Sequence, residues 1–249
     1  MIAVLLTKIK RKALKLASGL ELVDFGFALP YTWVLLKGPE GRALGVAMTL
    51  PEEVQRYRNS ISEPSLNAFI ERADSLNVIE RTLGLAAINA VSQYHLDLSD
   101  AEFTDVLELL PENAGKVALI GNMPPLAKAL RGRGFEVFIF ERNPKLWDKD
   151  TYSDALEYHL LPEMDTVVAS ASCLANGTID LLLDRAKKAE LFVLTGPTGQ
   201  LLPEFLRGTG ITHLASMKVI EVERALLGLK LGSFRGFEEG NRKYVVRVE

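Results

Sequence analysis

The chain has 249 residues, 48% of them hydrophobic and 24% charged, and a formal net charge of −3. At this length a chain buries about 70 to 75% of its unfolded surface, so one large or two modest domains need no disulfide or metal staple. Interspersed charges of both signs leave no electrostatic footprint for nucleic acid, and Cys173, the only cysteine, excludes an internal disulfide and sets the cytoplasm as the expected compartment.

The opening stretch MIAVLLTKIKRKALKLA places its basic cluster, Lys8, Lys10, Arg11 and Lys12, after a short apolar start. That order is the reverse of a secretory signal and interrupts any membrane span, so an amphipathic first helix packed on the domain is expected. Glutamine stands only at Gln55, Gln93 and Gln200, a weak lean toward a thermophilic source when charge is this abundant.

Residues 20–27 alternate imperfectly, and 31–37 and 42–48 are β-rich around the loop Gly38, Pro39, Glu40, Gly41. This predicts an antiparallel meander. Thr49 and Glu52 form a capping-box pattern with Pro51 in the first turn, which predicts a helix carrying Arg56 and Arg58. Ser65 begins another short helical stretch, to about Ala73.

The helix expected over 78–94 has a stripe of Ile79, Leu83, Ala86, Ala90 and Tyr94, yet Leu85, Ile88 and Val91 fill its other faces. That is the pattern of a helix buried nearly all round. Thr82, Asn89 and Gln93 fall within about forty degrees of one another on the helical wheel and form one narrow polar strip. Such a strip either bonds neighbouring backbone or faces a cleft against a second domain. Residues 97–100 end the first domain, giving units 1–100 and 101–249, and a helix over 102–110 leads into the second.

The stretch KVALIGNMPPLAKALRGRGFEVFIFERNP, residues 116–144, organises that second unit. An apolar run at 117–120 turns at Gly121 and Asn122, and Pro124 and Pro125 stand where the first turn of a helix uses their fixed φ. Leu126, Ala127 and Leu130 share a face before Gly132 and Gly134, and a second apolar run follows at 135–140. The unit reads as βαβ with buried parallel strands. Glu141 closes it where nucleotide-binding domains place an acid for ribose hydroxyls, but Met123 and Leu126 occupy the second and third glycine positions of the dinucleotide fingerprint, which disfavours a tightly held NAD.

Next come a loop at 147–150, a short helix over 152–161 carrying His159, and a strand at 166–169. Residues 170–178 are a long turn of small residues before a helix with Ile179, Leu182, Leu183 and Ala186 at core spacing. Strands at 191–194, 212–215 and 244–248 and a helix at 219–229 complete the chain. The fold class is therefore α/β, a small α+β unit followed by a Rossmann-like doubly wound parallel sheet.

In such a sheet the ligand crevice lies at the carboxyl ends of the strands where the winding reverses, here between the strands ending at Gly121 and Ala169. Gly121 with Asn122, Ser170 with Ser172, and Thr195, Gly196 and Thr198 would meet there and supply backbone donors. Asn176, Gly177 and Thr178 stand at another helix start. Each group also suits plain turn and cap chemistry. Asn89 completes the expected cleft from the first unit, and anionic groups of a ligand are expected at the helix starts near Asn122 and Thr178. His95, His159 and His213 are dispersed, no metalloprotease spacing, serine-hydrolase elbow or phosphate-binding loop is present, and no zinc site is expected.

Three segments, SASCLANGTIDLLL (170–183), LTGPTGQLLPEFLRGTGITHLA (194–215) and GLAAINA (84–90), together resemble the putative heavy-metal chelation family over nearly the whole chain. The resemblance implies an enolase N-terminal-like domain followed by a Rossmann-like domain, with a site in the cleft between them. With one cysteine and three histidines, direct soft-metal ligation is disfavoured, so the expected partner is a small polar or anionic molecule such as a metal chelate or its precursor. An adenosyl-type cofactor enzyme using Glu141 and a non-catalytic interaction protein are the alternatives. No membrane or nucleic-acid partner is expected, and the cofactor, the reaction and homo-oligomerisation stay open.

Overall fold

The computed structural model describes residues 4–99, 101, 105–110 and 115–248. Helix α1 (Val4–Leu16) buries Leu5, Leu6, Ile9 and Ala13, the single stripe that its alternating basic residues leave apolar. Strands β1 (Glu21–Gly26), β2 (Tyr31–Gly38) and β3 (Gly41–Met48) form a three-stranded antiparallel sheet in that order. Short α2 (Leu66–Ile70) follows, its orphan amide at Ala68 capped by Ser65, and then α3 (Val78–His95).

Strands β2 and β3 are apolar on both faces because both faces are covered. Val34, Leu36, Ala43 and Ala47 lie in the cluster that includes α3, while Trp33, Leu35, Leu44 and Val46 lie in a second cluster with residues from the C-terminal part of the chain. The burial of α3 is complete enough that Leu85, Ala86, Ala87, Ile88, Ala90 and Val91 are all fully enclosed.

The second sheet contains β4 (Lys116–Ile120), β5 (Glu136–Glu141), β6 (Thr151–Ser153), β7 (Thr166–Ser170), β8 (Leu191–Thr195), β9 (His213–Val219) and β10 (Asn241–Arg247). Their order is β10-β9-β8-β7-β4-β5-β6, parallel except for β10. Helix α4 (Pro124–Gly132) covers one face, packing Ala127 and Leu130 with Val117, Leu119 and Ile139. The other face meets α6 (Ser172–Asn176) and α7 (Ile179–Arg185) and shares one continuous core with α1 and α3. Four further helices, α5 (Glu157–Leu160), α8 (Pro203–Leu206), α9 (Val222–Lys230) and α10 (Phe234–Glu238), fill the connections and the C-terminal end.

Several sequence expectations need correction. No helix follows Thr49: one 3-10 turn (Pro51–Glu53) is succeeded by irregular chain, with Arg58 N donating to Arg56 O at 2.8 Å. The hydroxyl that should cap it instead donates to Ala28 O and pairs with Thr32 at 2.9 Å. The expected helix over 102–110 is a 3-10 turn, Val106–Leu109, and residues 102–104 lie outside the described residues. Tyr152 is in β6, not a helix, stacked 5.9 Å from Phe138. The turn over 170–178 contains α6, and β9 runs on to Val219 because antiparallel β10 pairs along all of it, which delays the next helix to Val222.

A polar seam joins the two sheets at the outer edge of β3. Asn89 Nδ2 donates to Val46 O at 2.6 Å and to Thr198 O at 2.8 Å. Gln200 Oε1 accepts from Val46 N at 2.9 Å, and Thr198 Oγ1 accepts from Met48 N at 2.9 Å. Gln93 Oε1 likewise accepts from Val219 N at 2.9 Å. Buried edge-strand groups need such partners. Asn89→Ala strands two buried carbonyls and should cost about 2 to 4 kcal/mol, read as a lower denaturant midpoint at unchanged m; a loss below about 0.5 kcal/mol would refute the role.

Candidate functional site

Strand β4 is the switch point. The chain adds β5 and β6 on one side of it and then returns to add β7, β8 and β9 on the other, so connections leave the β4 and β7 carboxyl ends in opposite directions and open a crevice. A cavity of about 450 Å³ lies there. Its floor is Ile120, Gly121, Ser170 and Ser172, and Met48, Leu50, Glu52 and Glu53 close it from the end of β3.

The β4 turn is built to a tight specification. Gly121 has φ +96°, and a Cβ there would sit 3.2 Å from Ser170 Cβ, so a side chain would be both strained and crowded. Its N–H donates to Phe140 O at 2.7 Å. Glu141 binds the next turn together: Oε2 accepts from Asn122 N at 2.9 Å and Oε1 from Asn143 N at 2.7 Å. The acid expected to receive ribose hydroxyls thus already has a backbone amide on each oxygen. At the other rim Thr178 N donates to Asn176 Oδ1 at 3.1 Å and to Cys173 O at 3.0 Å, and Ser170 and Ser172 share a hydroxyl pair at 2.9 Å.

The remaining wall is acidic. Arg142 lies 3.4 Å from Glu53 and 3.7 Å from Asp154. Burial raises the Glu53 carboxyl above its ordinary value, against the pull of Arg142 and Arg81. Arg81 itself is held by Ala175 O at 2.6 Å and Ser75 O at 3.0 Å. Glu157, on α5, lines the cavity although only 3% of it is exposed. Burial first, then the charge of Asp154, pushes its carboxyl up to about 8, with Arg142 opposing and Glu141 adding, so it is predominantly a neutral acid at pH 7. Cys173, also in the lining, is held well above the usual thiol range by burial and is therefore not a thiolate.

Of the residues expected at the site, Gly121, Asn122, Glu141, Ser170, Ser172, Asn176 and Thr178 border this one cavity. Asn89 and Thr198 do not: both are enclosed in the seam, where their polar atoms hold β3. Thr195 and Gly196 are used by the sheet, Thr195 O accepting from Ala171 N and Gly196 N donating to Ala215 O. Gly177 ends α6 at φ +79° and is outside the lining. Glu53, Arg142, Asp154 and Glu157 were missed. Arg142 directly follows the acid at a strand end in the crevice, which is a legible signal, whereas nothing local marks Glu157. Among the described residues no group of three or more His, Cys, Asp or Glu is arranged to hold a metal ion.

A family model described as "Putative heavy-metal chelation" (DUF364) matches residues 105–248, and a second with the same description (DUF4213) matches residues 10–92. The chain belongs to this family. An uncharacterized protein of Methanocaldococcus jannaschii is 46% identical, the alignment covering 98% of each chain. A DUF364 family protein of unknown function from Pyrococcus horikoshii is 66% identical, with a TM-score of 0.96 over 98% of this chain and 99% of that one. Another family member of unknown function, from Desulfitobacterium hafniense, shares the fold at a TM-score of 0.75 and 20% identity, over 97% of this chain and 98% of that one. In this member of the family the crevice is bordered by both matched regions: Glu52 and Glu53 come from residues 10–92, and the other acids from residues 105–248. No helix among the described residues is long and apolar enough to cross a membrane.

Proposed function

We propose that this chain binds a small polar ligand, a metal chelate or its organic precursor, in the cavity between a first unit, 1–100, and a second, 101–249. The observation that carries the reading is the cavity of about 450 Å³ at the switch point of the parallel sheet, walled by residues of both matched regions, 10–92 and 105–248. Crevices of this size and position are where α/β folds take small molecules. The family description supplies the metal, and the donor set supplies the form in which it arrives. Cys173 is a buried neutral thiol and the three histidines are dispersed, so tight capture of a bare soft ion lacks its converging nitrogen and sulfur ligands. The metal enters as cargo, already wrapped in an organic ligand whose polar groups meet Ser170, Ser172, Asn176 and Thr178. We place this binding in the cytoplasm, where a lone thiol stays reduced.

Calorimetric titration separates the cases. Nickel, cobalt or iron as free ions should bind weakly, and the same ions with candidate chelators should bind more tightly. Ser172→Trp, which fills the cavity, should abolish the chelate binding. Micromolar capture of the bare ion that disappears in Cys173→Ser or in a histidine-to-alanine variant would show direct ligation and overturn the reading.

A further inference from the structure

The cavity wall carries five carboxyl groups, Glu52, Glu53, Glu141, Asp154 and Glu157, against one guanidinium, Arg142. Arg142 is already flanked by Glu53 and Asp154. Nor does the backbone offer an anion cradle. The Gly121, Asn122 and Thr178 amides are bonded within the protein, and α4 opens with Pro124 and Pro125, which have no N–H to give. What the cavity does offer is acceptors. Among the described residues none donates to the Glu157 carboxyl, although only 3% of the residue is exposed. A largely buried acceptor left without a donor is costly unless an occupant supplies one.

We infer that the occupant of this cavity carries a positive charge and N–H donors, which it sets against the Glu157 carboxyl, and that Glu157 releases its proton as the ligand enters. The inference rests on the cavity being the binding site. The chemical class is a cationic amine, either free or as the outer surface of a metal–amine complex. The proton passes from the Glu157 carboxylic acid to solvent, leaving a carboxylate paired with the incoming cation. The charged groups acting on Glu157 are Asp154 on the preceding turn and Arg142 and Glu141 from the end of β5, with the neutral Cys173 thiol of α6 beside it. Burial keeps that acid protonated to about 8; an adjacent cation reverses the balance.

Three probes test this on the full chain by calorimetry: hexaamminecobalt(III), an inert cationic complex with N–H groups outward; spermidine, a metal-free polyamine; and the anionic nickel–citrate complex. At pH 7, in two buffers of different ionisation enthalpy, the cations should release about 0.9 proton on binding. Their affinity should rise about tenfold per pH unit from pH 6 to 7.5 and level off above about 8. Glu157→Gln should weaken them at least tenfold at pH 8 and remove the slope, and Ser172→Trp should abolish binding. Tighter binding of the complex identifies a metal–amine ligand, and tighter binding of spermidine a free polyamine; either supports the inference. Cation affinity that is flat with pH, unchanged in Glu157→Gln, or unchanged in Ser172→Trp overturns it. Nickel–citrate binding that Ser172→Trp abolishes, with neither cation bound, overturns the charge inference and leaves the cavity reading standing, and failure of all three probes overturns both.

Discussion

Gly45→Ala should destabilise the protein by about 4 kcal/mol or more, lowering the melting temperature of a chain this size by roughly 8 to 16 °C. A Cβ on Gly45 would lie 1.9 Å from the Ala90 backbone nitrogen and 2.5 Å from Ala86 O. Flexible side chains can turn away from such a clash, but here the opposing atoms are the backbone of α3, a helix enclosed on every side. The strand and helix would have to separate by about 1.5 Å, breaking contacts along the whole face. The seam formed by Asn89, Thr198 and Gln200 on β3 would move with them. Gly132→Ala is the control, since that position has normal φ and nothing within 4 Å of the added methyl; it should be neutral or stabilising by about 0.5 kcal/mol. Wild-type thermal stability in Gly45→Ala would mean that β3 and α3 are not in this contact.

The second large effect is a pH dependence. Glu157 rises from an ordinary 4.5 to about 8 in the folded protein. Between those values the native state holds one more proton than the unfolded chain, so stability falls as pH rises, by about 1.4 kcal/mol per unit. The contribution is fully present below about 4.5 and fully lost above about 8. Glu157→Gln, which keeps the shape and cannot ionise, should therefore match wild type near pH 4.5 and exceed it by about 3 to 5 kcal/mol at pH 8.5. Denaturant titrations of both proteins across this range read the difference directly. Parallel curves would show that Glu157 is solvated or paired. The same variant that loses cation binding should thus be the more stable protein, as expected when a buried acid is retained for a ligand and not for the fold.

What a stretch of this chain reveals depends on the range of the interactions that shape it. Residues 116–144 were legible because each signal is local: an apolar run long enough for a buried strand, a glycine turn, two prolines that suit only a helix start, and a second run. The structure places β4, α4 and β5 there. Helix α3 was equally plain, since an element apolar on all faces has no exposed side to choose. Where two local signals competed, the chain misled. The capping pattern at Thr49 and Glu52 lost to a sheet hydroxyl pair seventeen residues away in sequence, and Tyr152 followed its aromatic contact with Phe138 into a strand.

The sequence alone determined the α/β class, the family, the switch point beside β4 and most of the cavity floor. Periodicity, glycine φ requirements and proline's missing donor act within a few residues, and a chain displays them in order. Only the tertiary structure decided which polar residues face the cavity. Asn89 bonds Thr198, 109 positions away, and so belongs to the core. Glu157 sits in a short run with exposed neighbours Tyr158 and His159, and it becomes a protonated acid only because the fold buries it and sets the charges of Asp154 and Glu141 near it, against the pull of Arg142. Burial, and the protonation it imposes, belong to contacts between distant segments, and no stretch of sequence carries them by itself.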